Sequence, residues 1–241
     1  MRDASAVDGA IARIGRMERA TLGDRVYAEL RGLLIAGDLA PGERLSLRRM
    51  ADQLGTSMMP VREAVSRLAA DRALDVLPNR SVRVPLMDAG QFRELTRVRL
   101  AIEGFAAEEA ARARGEADLA AMAAHDAVFR AEARAAAPDF ERAVRANKEL
   151  HFAVYAAAGL PTLLAIIEGL WLRIGPVLNL DMRVSGQRLA EGAAERHHAR
   201  LIAAIRDRDG PAARAALVAD IAEAAAFIAG SGRLPDDQGR E

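Results

Sequence analysis

A short glycine turn, Gly55-Thr56-Ser57, joins two short segments with helical apolar spacing. No other feature restricts the fold of this chain as strongly. Before the turn, Leu47, Met50, Ala51 and Leu54 form one inward face behind Ser46, whose hydroxyl suits an N-cap. After it, Val61, Ala64, Val65 and Leu68 form a second inward face over about 60–70, with Pro60 in the first turn, where its missing N–H costs nothing. Two helices around a glycine-containing turn make a helix-turn-helix. A preceding helix carries Leu22, Val26, Leu30 and Leu33–Leu34 on one face and should stop near Gly37, ahead of the Pro41-Gly42 turn. Downstream, the apolar runs 74–77 and 82–84 flank Pro78-Asn79-Arg80-Ser81 and read as a β-hairpin, or wing. Residues 21–86 are therefore expected to form a winged helix-turn-helix.

Beyond Pro85 every strong segment is helical. Helices are expected near 89–113, 117–135, 139–158, 162–173, 187–207 and 211–229, broken at Gly115, Pro138, Gly159–Pro161, Gly175-Pro176, Gly186 and Gly210-Pro211. Alanine runs such as 135–137 and 224–226 support this, because alanine loses no side-chain entropy in a helix. The fold class is mainly α: a winged helix-turn-helix followed by an all-α bundle over 89–230, with a loose arm at 1–20, a break at 85–88 and a flexible tail at 231–241.

The absence of cysteine excludes disulfide scaffolds, thiol catalysis and cysteine-bound zinc. No stretch approaches 18 uncharged apolar residues, so no membrane span is expected, and the charged N-terminus does not read as a secretory signal. A cytoplasmic protein is the expectation. Net charge is zero, but residues 1–85 hold 14 arginines against 11 acidic residues, and the excess acid lies in the remainder. That asymmetry is compatible with a DNA-binding N-terminal part.

The basic residues of the helix-turn-helix are arginines. Arg48 and Arg49 begin its first helix, and Arg62 lies early in the second. The N-terminal part of the second helix of such a motif enters the major groove, where an arginine can bond guanine O6 and N7 together. Ser57 and Thr56 suit phosphate contacts, and Arg80 and Arg83 in the wing suit the minor groove or its phosphates.

Three segments carry a family resemblance: Leu39-Ala-Pro-Gly-Glu-Arg-Leu45, Arg49-Met-Ala-Asp-Gln-Leu-Gly55 and Ser57-Met-Met-Pro-Val-Arg-Glu-Ala64. From about Val26 to Val84 the chain resembles the N-terminal domain of GntR-family transcriptional regulators. The resemblance implies dimeric binding to double-stranded operator DNA, with Arg48 and Arg62 as base-reading or phosphate-contacting arginines and Ser57 as a contacting hydroxyl. Met58, also a candidate DNA contact by its position, stands where the family usually has arginine, which implies a different operator. Ser81 replaces a wing-tip glycine, and Arg72 replaces a common glycine before the wing.

From about Phe92 to Ile228 the chain resembles the FadR C-terminal (FCD) type of sensor domain. The resemblance rests on Arg99-x3-Glu103, Leu150-His151 and His198-x2-Leu-Ile-x-Ala-Ile-x3-Asp209. That family often binds a divalent metal through one Asp and three His. The matching positions here are Asn147, His151, His198 and Asp220, a set that suits zinc, nickel or manganese at even odds with a metal-free cavity. Asn147, His151, His198 and Arg99 are the candidate effector contacts, with Arg99 either clamping a carboxylate or pairing with Glu103. His197 is expected to be a solvated surface residue, His125 structural or solvated, and Trp171 a core or cavity residue.

The combined expectation is a ligand-responsive regulator, a repressor by family habit. It acts as a homodimer on a palindrome, senses a small organic-acid effector and involves no membrane. Two alternatives were weighed. A metal-dependent helical-bundle enzyme is disfavoured, because Glu195-x-x-His198 occurs once where a di-iron site needs two such motifs. An effector-free DNA-binding protein is disfavoured by the polar groups facing into the bundle.

Overall fold

The computed structural model describes residues 21–78, 81–178, 189 and 192–235. Among them the order is α1 (Leu22–Ala36), β1 (Arg44–Leu45), α2 (Leu47–Gln53), α3 (Met58–Ala70), β2 (Asp75–Val76), β3 (Val82–Arg83), α4 (Ala89–Ala113), α5 (Glu116–Ala133), α6 (Phe140–Ala157), α7 (Pro161–Leu178), α8 (Ala193–Arg206) and α9 (Gly210–Gly230). The chain is mainly α, as expected. The expected arm at 1–20, the wing residue Arg80, the break at Gly186 and the end of the tail from 236 lie outside the described residues.

Local caps hold the helices, the expected Ser46 cap and Gly37 stop among them. Thr21 and Asp24 form a reciprocal capping box at α1, and Gly37 ends that helix in the left-handed region at φ 69°. Ser46 accepts from Arg49 N at 3.3 Å at the start of α2. Asp88 and Gln91 box the start of α4, immediately after the expected break. In α3 the residues Val61, Ala64, Val65 and Leu68 are buried as the spacing requires, and the helix begins at Met58, two residues earlier than expected.

Strands β2 and β3 pair antiparallel as the wing hairpin. A third strand, β1, joins the other side of β3, opposing Arg44 to Arg83 and Leu45 to Val82. Its two residues are too short to show a period in sequence.

In the bundle, α9 packs along α4, α6 along α5, and α8 against α9. The winged helix does not stand apart from the bundle. Helix α1 lies on α7, and one continuous apolar cluster runs from Val26, Leu30 and Leu34 to Ile167, Trp171 and Leu172. At this seam a Cβ on Gly175 would sit 2.3 Å from the Leu34 carbonyl oxygen, so only glycine permits the approach. Arg31 and Glu168 close its edge at 2.6 Å.

The expected break at Gly175-Pro176 is therefore corrected. Helix α7 runs through both residues to Leu178, with Pro176 in its last turn. Burial of Ile174, Gly175, Pro176 and Val177 outweighs the local penalty of proline. By length and composition alone, α7 would also pass as a membrane span, with mean hydropathy 1.4. Its inward face instead packs on α1 and α4, and its Glu168 is ion-paired.

Candidate DNA-reading face and ligand cavity

Helix α3 buries one face and exposes Met59, Arg62, Glu63, Ser66 and Arg67 on the other. The N-terminus of α1 engages part of that exposed surface. Glu63 lies against Gly23, where an added Cβ would meet its carboxylate at 2.4 Å. Arg67 bonds Asp24 Oδ1 at 2.6 Å and stacks 4.0 Å above the Tyr27 ring. The Thr21 backbone N–H, followed by Arg67, holds the Asp24 carboxyl below its ordinary value.

Arg62 has no ion-pair partner among the described residues, and neither do the exposed Arg48 and Arg49 on α2. Ser57 occupies the N-cap position of α3 without using its hydroxyl as a cap, which leaves that group exposed beside the helix N-terminus. Met58 is half-buried against the core, whereas Met59 is exposed. In the wing, Arg83 bonds Asp75 across the hairpin at 2.9 Å, so its charge is already partnered. Arg72 sits at φ 57°, the left-handed conformation that explains a glycine at this position in the resembled family.

The second constellation lies inside the bundle. Helices α6, α8 and α9 bring His151, His198 and Asp220 together, with one ligand atom from each within 4.8 Å of the others. Asn147, one turn before His151 on α6, lines the same cavity with Arg99, Lys148 and Trp171. The enclosed space is about 30 Å³, enough for an ion or a water and too small for an organic acid without some opening.

Around the cluster the polar groups form a chain. Glu103 receives Arg99 Nε at 2.6 Å and Arg99 NH2 at 3.2 Å. Tyr155 donates its hydroxyl to the same carboxylate, and Trp171 Nε1 reaches it at 3.3 Å. His151 Nδ1 lies 3.0 Å from the Tyr155 hydroxyl oxygen. Because the Tyr155 proton goes to Glu103, its oxygen accepts from His151 Nδ1–H. The other ring nitrogen, Nε2, faces Asp220, whose Oδ2 lies 3.2 Å away.

Burial pushes the Tyr155 phenol well above its ordinary value, and the neighbouring Glu103 charge pushes it further the same way. Burial alone would lower the Arg99 guanidinium, but the Glu103 charge and hydrogen bonds outweigh it and hold the group above its ordinary value. The sequence left Arg99 open between two roles. The structure makes the Glu103 pair, inside the core, with the side chains 4% and 0% exposed.

His198 is fully buried, and neither ring nitrogen has a hydrogen-bond partner among the described residues. Its Nδ1 approaches Asp126 Oδ1 at 3.4 Å, while Asp126 Oδ2 pairs with Arg130 at 2.9 Å. Asp126 is the residue that sequence reasoning missed. Nothing in its local spacing on α5 announces a partner 72 residues away. His197 is also corrected. It is not a solvated surface residue: its side chain is 12% exposed and bonds Glu223 of α9 at 2.6 Å.

A metal fits these residues. Two orphaned nitrogens on a fully buried imidazole are costly unless something satisfies them. Two imidazoles and a carboxylate are the donor set of an open transition-metal site.

Comparison with known proteins matches both parts of the chain to known families. Residues 22–84 match the model of the bacterial regulatory proteins of the gntR family, and residues 94–223 match the FCD domain. The HTH-type transcriptional regulator McbR of Escherichia coli K12 is 31% identical over 195 residues, which is 81% of this chain and 87% of McbR. The chain belongs to the GntR family. The solved structure of E. coli McbR/YncC superimposes on this GntR regulator with a TM-score of 0.79 at 30% identity, covering 87% of this chain and 98% of that one. A GntR structure from Rhodococcus sp. RHA1, at 24% identity, shares the fold with a TM-score of 0.68 over 88% of this chain and 99% of that one. The family comprises transcriptional regulators rather than enzymes, and this chain carries both a GntR-type DNA-binding segment and an FCD effector domain.

Proposed function

We propose that this GntR regulator is a homodimeric, metal-dependent sensor of a small organic acid that represses transcription from a palindromic operator. Arg48, Arg49 and Arg62 supply the cationic reading face, with Ser57 as a phosphate contact; Arg80, outside the described residues, is the further contact that the sequence offers. His151, His198 and Asp220 hold zinc, nickel or manganese, and Asn147 is a neutral oxygen at the same cavity. Bound there, the metal supplies a positive centre that a carboxylate can join. Without it, the cations that line the cavity among the described residues, Arg99 and Lys148, are already paired with Glu103 and Glu149.

A single observation carries this reading: the unpartnered, fully buried nitrogens of His198 beside His151 and Asp220. A ligand that favours one placement of the winged helices then shifts operator affinity by its differential affinity for the two arrangements.

Elemental analysis of the full chain, purified without a chelating tag, tests the site. The expected result is about one metal per chain in the native protein and none in His151→Ala. A native protein that stays metal-free after incubation with zinc, nickel and manganese removes the metal from the proposal. The imidazoles would then be direct effector contacts.

A further inference from the structure

Met59 is the most exposed large apolar side chain among the described residues, at 72%, on the second helix of the helix-turn-helix, within the segment matched to the gntR family. Its neighbour Met58 is folded against the core, whereas Met59 gains nothing from it and is available for contact. Met59 precedes Arg62 by three residues and Ser66 by seven, so the three share one face of α3. The flank toward α1 is closed by the contacts of Glu63 and Arg67 already described. The face left open is therefore Met59, Arg62 and Ser66.

A thioether offers no donor and only a weak acceptor, so it cannot read the nitrogens and oxygens of base edges, and it has no attraction for phosphate. In the major groove one base presents an apolar group: thymine, through its C5 methyl. An unbranched, polarisable side chain is well suited to cover that methyl.

We propose that Met59 is a specificity-determining residue that packs on the C5 methyl of a thymine next to the base pair read by Arg62. The assignment rests on α3 being the DNA-reading helix. Three residues of helix advance about 4.5 Å, so the thymine lies about one or two base pairs from the guanine that Arg62 contacts. The operator half-site is thus defined by a guanine and a nearby thymine.

The test begins with selection of binding sites from a random duplex library by the full chain. The expected consensus holds an invariant thymine beside a guanine, and Met59→Ala enriches the same guanine with no preference at the thymine position. Replacement of that thymine by deoxyuridine removes only the methyl group. It should weaken binding of the native protein about fourfold, the value of one buried methyl, at fixed salt. Met59→Ala should bind both duplexes equally, and Met59→Leu should keep the preference. Equal melting temperatures of the three proteins exclude misfolding as the cause.

Equal binding of thymine and deoxyuridine duplexes by the native protein overturns the proposal. So does an unchanged thymine preference in Met59→Ala. If the native protein enriches no sequence at all, the DNA-reading role of α3 has failed, and the Met59 assignment fails with it.

Discussion

Arg62 and Arg99 each stand in the first half of a helix, and their surroundings give the same guanidinium opposite properties. Arg62 is exposed on α3 with no ion-pair partner among the described residues, so its whole hydrogen-bonding fork is available to an incoming anion or base edge. Arg99 is 3% exposed, gripped through two nitrogens by Glu103, and lies 5.2 Å from the centre of the Trp171 ring. The outer region holds charge in reserve, where water keeps it inexpensive. The inner region cancels charge locally and leaves its unsatisfied groups on His198. An incoming group meets an exposed cation at the winged helix and, in the bundle, a neutralised guanidinium beside the buried His151, His198 and Asp220.

The sharpest way to break the contrast is to free the inner arginine. Glu103→Ala leaves the Arg99 charge buried and strips Tyr155 and Trp171 of their acceptor. It should destabilise the protein by about 3–5 kcal/mol, read as a lower urea midpoint at unchanged slope. A loss under about 1 kcal/mol would show that water reaches Arg99, and the distinction between the two regions would collapse. Asp126→Asn tests the unsatisfied shell without touching a metal ligand. If Asp126 orients His198, zinc affinity measured by chelator competition should fall about 10- to 100-fold, with one metal still bound at saturation. An unchanged affinity would limit Asp126 to its ion pair with Arg130. The smallest effect belongs to the outer region. Arg72→Gly relieves the left-handed backbone at φ 57° and should raise stability by no more than about 1 kcal/mol in thermal unfolding. A loss would mean that the Arg72 side chain contributes more than its backbone strain costs.

The sequence was most informative where function depends on local order. The turn at Gly55, the Ser46 cap and the inward face of α3 are all set by residues within one or two turns of each other, and the structure places them as read. The bundle cluster was legible in part, because His151, His198 and Asp220 sit at positions a family pattern fixes. What escaped was decided by packing between distant segments. Asp126 meets His198 only after α5 and α8 are laid together, and Pro176 remains helical only because α1 covers the last turn of α7. The Arg99-x3-Glu103 spacing permitted a surface pair and a buried one equally. Burial made the difference, and burial cannot be read from two residues on one helix.

The close approach at Gly175 constrains how a signal can travel through this molecule. Helix α7 forms a wall of the cavity through Trp171 and Leu178, and a few residues away its backbone touches the last turn of α1. Contact made through backbone carbonyls has no compliant side chain to absorb a shift. An inward or outward step of α7 at Trp171 must therefore carry the winged helix along with it or open the seam. The chain works as a gear with almost no backlash, and its play is set by the missing methyl group of a single glycine.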